Sequence, residues 1–146
     1  MYLDSTLSIN DCVMTCDDAV DLFYKIKGEC MELLGDSAIY IEPYSIGFNM
    51  SVTCNAGCYY DRRCIIVSTF YIYGSPPVEL FRNTILHELA HAAVGEGYGH
   101  GEKWLRMAKY LGCNGHVKAS SAHINRGMAN VEKFIDVYHR VALSRV

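Results

Sequence analysis

The sequence predicts an α+β fold, with a small antiparallel sheet packed beside a long helix and further helices before and after it. Two observations carry this. Apolar residues recur at helical spacing in residues 16–34, in a segment ending near Val94, and in 101–111. Between the first two of these, residues 39–73 turn to β-branched and aromatic types, broken by turn signals at Glu42-Pro43, Asn55-Ala56-Gly57 and Asp61-Arg62-Arg63.

In the first helix, Val20, Phe23, Ile26 or Lys27, Cys30 and Leu33 or Leu34 stand at helical spacing. Asp17 and Asp18 suit its first turn, and Gly35 suits its end. Strands are expected near 46–53, 57–60 and 63–68, with Tyr59, Tyr60, Tyr71 and Tyr73 filling a sheet face. Ser75-Pro76-Pro77 reads as a serine cap followed by proline, opening a helix that stops at Gly95. On it, Phe81, Ile85, Leu89 and Ala92 share one side, facing the core; Leu80, Thr84, His87 and His91 share another. Trp104, Leu105, Ala108 and Leu111 form the buried side of the next helix, which ends at Gly112. Residues 113–127 read as a loop. A last helix over 127–143 carries Met128, Val131, Ile135, Tyr138 and Ala142 on one stripe, with Phe134 and Val141 beside it.

One domain is expected over residues 1–146, since the chain is long enough for one core and shows neither repeat nor linker. Hydrophobic residues are 51% and charged residues 20%, a globular composition. No apolar run reaches the roughly 18 residues of a membrane span. The opening residues show neither a basic nor an apolar signal region, so a cytoplasmic, intracellular location is expected. Seven cysteines without regular spacing read as free thiols. Cys12 and Cys16 would share a helix face, and Cys54, Cys58 and Cys64 fall in strand and turn. Neither group has the paired spacing of a structural zinc knuckle. Net charge is −7 over 1–45, +1 over 46–115 and +3 over 116–146. The basic end (Lys118, Arg126, Lys133, Arg140, Arg145) could contact DNA phosphates.

The chemistry is concentrated in His87-Glu88-Leu89-Ala90-His91. Two histidines four apart sit one turn above each other on a helix, so both rings can reach one ion. Glu88 lies one position round. It can reach a water on that ion without being a ligand, the arrangement in which zinc acidifies the water and a glutamate takes its proton. A catalytic zinc needs a third protein ligand, and His100, Glu96, Glu102, His116 and His123 are the candidates. His100 is preferred: Gly95, Gly97 and Gly99 let the chain turn back after the helix, and Trp104 can pack the next helix so as to steady that ring. Tyr98 is a candidate oxyanion partner in the same loop. The segment Ile65–Ser68 is expected to be an edge strand that could align an extended peptide.

The combination of His87-Glu88-Leu89-Ala90-His91-Ala92, a glycine-rich loop and His100-Gly101-Glu102-Lys103-Trp104 resembles the SprT-like metalloprotease family. The upstream Ala56-Gly57-Cys58, the strand Cys64 to Ser68 and the run from Asn83 to Ala92 are similar to it as well. The resemblance implies a zincin-like core, with Zn2+ held by His87, His91 and His100. It also implies Glu88 as general base in hydrolysis of protein or peptide substrates. Family members that degrade proteins attached to DNA make DNA-associated proteins a candidate substrate class. The alternative expectation is a metal-stabilised binding module acting on nucleic acid or transcription machinery without essential proteolysis. An intact Glu88 favours the enzyme, because a structural metal needs no base at that position.

Overall fold

The computed structural model describes residues 14–132. It is α+β, as expected: among the described residues, a three-stranded sheet packs against helices. Helix α1 spans Cys16–Leu34. Its N-terminus is closed by Thr15, whose hydroxyl accepts the Asp18 N–H while the Asp18 carboxylate accepts the Thr15 N–H at 3.0 Å. Ala19, Phe23, Ile26 and Cys30 are its buried face. A 3-10 turn over Gly35–Tyr40 leads to the sheet.

The strands are β1 (Ser45–Asn49), β2 (Ala56–Tyr59) and β3 (Cys64–Ser68), each close to its expected position but with β1 four residues shorter at its end. That strand stops because the chain folds on itself: Asn49 Oδ1 accepts the Ser51 N–H, and Ser51 Oγ accepts those of Thr53 and Cys54. The sheet order is β1-β3-β2. Strand β2 pairs antiparallel with β3 through a tight hairpin, as expected, but β1 runs parallel to β3. The expectation of an antiparallel sheet therefore holds for one pair only. The physical reason is the crossing of residues 50–55 over the end of β3, which carries the chain to the opposite edge before it turns back. That crossing is fastened by the buried Ser68, whose hydroxyl donates to the Ser51 carbonyl at 2.6 Å and whose N–H donates to Asn55 at 2.8 Å.

Strand β3 is consequently central, and Ile65–Ser68 is not an edge. Among the described residues, the free edge on the side of the hairpin belongs to β2. Because Asn55 and Ser68 form a hydrogen-bonded pair, the alternation of an antiparallel ladder turns the Gly57 backbone toward β3 and leaves the N–H and C=O of Ala56 and Cys58 pointing outward.

The segment after β3, read from sequence as strand-like, is a short helix α2 (Thr69–Tyr73). Tyr71 is fully buried there, its hydroxyl 2.9 Å from Thr84 Oγ1, rather than lying on a sheet face. Helix α3 runs Val78–Val94 and is the spine of the molecule. The serine cap does not form. Ser75 takes a left-handed backbone, its hydroxyl accepts the Met14 N–H, and the helix begins after Pro77, whose carbonyl accepts the Phe81 N–H at 3.0 Å. Two consecutive prolines hold the chain extended until then.

Phe81, Ile85, Leu89 and Ala92 are buried as expected, and Leu86, Glu88 and Ala90 are buried with them. Helix α4 (Glu102–Leu111) buries Trp104, Ala108 and Leu111 against α3 and closes on Gly112, left-handed at φ 99°. A last helix, α5, starts at residue 122, five residues before its expected start, and is described to residue 132. It approaches α2 backbone to backbone: a Cβ on Gly74 would overlap the His123 carbonyl, and one on Gly127 the Phe70 carbonyl. The stripe of Phe134, Ile135, Tyr138, Val141 and Ala142 lies outside the described residues.

Candidate metal centre

Helical periodicity puts His87 and His91 on the α3 face turned away from the core, together with Leu80 and Thr84, and all four side chains line one cleft. After α3 ends, Gly95, Gly97 and Gly99 all adopt positive φ, at 91°, 97° and 54°. These are conformations that side-chain-bearing residues resist. They reverse the chain within a few residues and return His100 to the same face. His100 Nε2 lies 3.1 Å from His87 Nε2 and 3.1 Å from His91 Nε2. Among the described residues, His87, His91 and His100 are the one group of metal-ligating side chains that converges, with ligand atoms all within 4.8 Å of one another.

These rings fit a metal ion. A single proton on His100 Nε2 cannot satisfy two facing nitrogens, whereas a cation between three lone pairs satisfies all of them. Ligands 2.0–2.1 Å from a tetrahedral ion stand roughly 3.4 Å apart. Burial lowers the pKa of His87 to about 4, helped by the neighbouring His100. Burial likewise lowers His91 to about 4, with His87 and His100 adding to the shift. Both rings are therefore neutral at physiological pH, the form that ligates.

Trp104, fully buried, is the packing block behind them. Its ring lies 4.6 Å from that of His87 and 4.7 Å from that of His100, and it stacks on His91 at 5.4 Å. Its indole N–H donates to the His87 carbonyl at 3.1 Å. The role expected of Trp104 is thus its observed one. Glu88 is buried, with Oε2 3.9 Å from His87 Nε2. Burial raises its pKa to about 8. The Cys58 thiol on β2 is pushed up to about 12, chiefly by burial and then by the Glu88 charge.

The other candidate ligands stand apart from the three-histidine group. Glu96 and Glu102 are exposed, and Glu102 pairs with Arg106. Tyr98, the candidate oxyanion partner, is also exposed. It carries the Lys103 ammonium over its ring at 4.2 Å and does not line the cleft. Among the described residues, Cys54, Cys58 and Cys64 are free thiols that form no metal group; Cys12 lies outside them.

His116 and His123, read from sequence as surface or loop residues, line the cleft without joining the three rings. The cleft holds about 490 Å³. One wall is Thr53 to Ala56, leading into the free edge of β2; the other is the segment from Asn114 to Ser120. Asn55 Nδ2 joins the two walls by donating to the Ser120 carbonyl at 3.3 Å. Sequence reasoning missed this second wall, whose signal was only a polar run with Gly115. Of the basic residues near the end, Lys118 is exposed on this wall and Arg126 is exposed on α5. Lys133, Arg140 and Arg145 lie outside the described residues.

No helix among the described residues is long and apolar enough to cross a membrane. No curated protein and no solved structure matches the chain. A family match does cover residues 30–124, from the end of α1 through the sheet, the three histidines and the second cleft wall into α5. With about two thirds of its length matched and the three converging histidines inside that span, the chain belongs to the SprT-like family.

Proposed function

We propose that this chain is a zinc-dependent metallopeptidase in which His87, His91 and His100 hold Zn2+ and Glu88 is the general base. The observation that carries the reading is a buried carboxyl beside three converging imidazoles, opening on a cleft bordered by a free strand edge. Zinc, when bound, polarises a carbonyl and lowers the pKa of a water.

The remaining work falls to the chain's own groups. Glu88 accepts the proton of the attacking water and passes it to the leaving amine. Its high pKa without metal suits a group that must hold a proton between those two events, and a nearby cation would bring the value down toward the working range of a base. The outward N–H and C=O of Ala56 and Cys58 offer ladder partners to an extended peptide, aligning it along β2 toward the three histidines. An unfolded stretch of protein is the substrate this geometry favours, because a folded strand or helix already uses those backbone groups.

The test is Glu88→Gln in zinc-loaded protein, assayed on an unstructured protein substrate with and without duplex DNA. The variant is expected to keep about one zinc per chain while hydrolysis falls by about 10²–10⁴-fold. Zinc retained with hydrolysis undiminished would remove Glu88 from the chemistry. Function in cells that survives the substitution would favour the binding module.

A further inference from the structure

The two walls of the cleft are separate stretches of chain, and a side-chain hydrogen bond ties them together. Asn55 stands immediately before β2, and its carbonyl accepts the Ser68 N–H at 2.8 Å. Ala56 beside it packs against the core, so alternation along the strand turns the Asn55 side chain to the other face. From there Nδ2 donates to the Ser120 carbonyl at 3.3 Å, although 65 residues separate the two in sequence. The segment that receives this bond leaves α4 at Gly112 and enters α5 at residue 122. Near its start it is held to α3, where Asn83 Oδ1 accepts the Asn114 N–H at 2.8 Å. Asn83, Asn114, Ser120 and Asn55 all line the cleft that holds His87, His91 and His100. With α3 packed on β2, they close a ring around it. Residues 116–120 are exposed, and among the described residues no backbone–backbone hydrogen bond holds them. The Asn55–Ser120 bond is therefore the link of the ring that parts most easily.

From this ring we infer that Asn55 is a specificity-determining residue: its bond to Ser120 favours substrate segments near a free chain end over internal loops. The inference rests on the peptidase reading above, in which an extended peptide lies along β2. Such a peptide, running past Cys58 and Ala56, meets the Asn55–Ser120 link next. A free end threads beneath a closed link. A loop has no end to thread and enters only while the link is parted, so the link acts as a gate. One hydrogen bond holds it closed by a factor of roughly 2–10, and loops are therefore admitted slowly rather than excluded.

The test uses one unstructured peptide sequence in two forms, linear and joined head to tail, with the zinc-loaded full chain. Two quantities are read: kcat/KM for each form, and the association rate of each labelled form with protein also carrying Glu88→Gln, which consumes it too slowly to interfere. The two forms differ in their own flexibility, so the linear-to-cyclic ratio of each variant is compared with that of the parent. Asn55→Ala should lower this ratio by about 2–10-fold in both readouts, through faster handling of the cyclic form. Asn55→Asp should lower it at least as far, because a carboxylate then faces the Ser120 carbonyl. Both variants keep the backbone bond from Ser68 to residue 55.

A parental ratio in both variants would overturn the inference, as would a fall that comes only from slower handling of the linear form. If Asn55→Ala does not fold, Asn55→Asp decides alone. Failure of the peptidase reading is distinguishable. A parent that hydrolyses neither form loses that reading, while the association rates still decide whether the link gates the cleft.

Discussion

Glu88→Gln should change the pH dependence of stability of the metal-free protein in a way that isolates one buried carboxyl. In the native state burial lifts Glu88 to about 8 from an ordinary 4.5, so the native state holds a proton that the unfolded chain has lost. Stability then falls as pH rises between those values, by at most about 1.4 kcal/mol per pH unit for one proton. His87 and His91 act in the opposite sense. Their native values of about 4 lie below the ordinary 6.5, so the unfolded chain takes up protons first and stability falls as pH drops below about 6.5. The more exposed ring of His91 contributes less than its shift implies.

Among these three groups, the metal-free parent should be most stable near pH 6.5. It should lose about 1–2 kcal/mol from there to pH 8, integrating one proton over that interval. Glu88→Gln removes the alkaline arm and leaves the acid arm. Urea unfolding of chelator-treated protein at pH 5.5, 6.5, 7.5 and 8.0 measures this, and the alkaline loss corresponds to a fall of roughly 0.5–1 M in the parent midpoint. Parallel profiles for parent and variant between pH 6.5 and 8 would refute the claim that burial holds the Glu88 proton.

Other perturbations have equally definite outcomes. Trp104→Phe removes the indole N–H that meets the His87 carbonyl and part of the wall behind three rings. It should cost about 2 kcal/mol in metal-free stability and weaken zinc binding as well; unchanged zinc affinity would show that Trp104 only fills space. Gly127→Ala drives a methyl into the Phe70 carbonyl and should destabilise by about 3 kcal/mol or more, read as a large fall in the thermal midpoint. Ala56→Pro deletes an outward N–H of β2 without touching the ladder to β3, so zinc content and fold should persist while peptide hydrolysis drops about tenfold or more. Undiminished hydrolysis would exclude strand addition at that edge.

The legible parts of this molecule were those governed by local periodicity. On α3 the repeat of 3.6 residues separates Phe81, Ile85 and Leu89 from Leu80, Thr84, His87 and His91, and the structure uses both faces as that separation predicts. The return of His100 was legible too, because three glycines in five residues have a backbone reason to be there. What escaped was decided by tertiary contacts. Thr69–Tyr73 has strand composition yet forms a helix, because Tyr71 finds its partner on Thr84. The parallel pairing of β1 depends on a crossing fastened at Ser68, and no strand propensity encodes a crossing. The second wall of the cleft is organised by Asn83 and Asn55 from distant segments, so its own residues carried no sign of it.

The three converging histidines all come from fourteen consecutive residues, His87 to His100. Their meeting therefore closes only a short loop, and an unfolded chain can bring them to one ion at small entropic cost. The proposed zinc would then have a foothold on the denatured ensemble as well as on the native protein, and only the difference between the two affinities would add to stability. Chelation should consequently lower the melting temperature by less than the native zinc affinity alone would imply. On the same grounds, a nascent chain could load its metal as soon as α3 and the following turn have emerged, before α5 exists to complete the cleft.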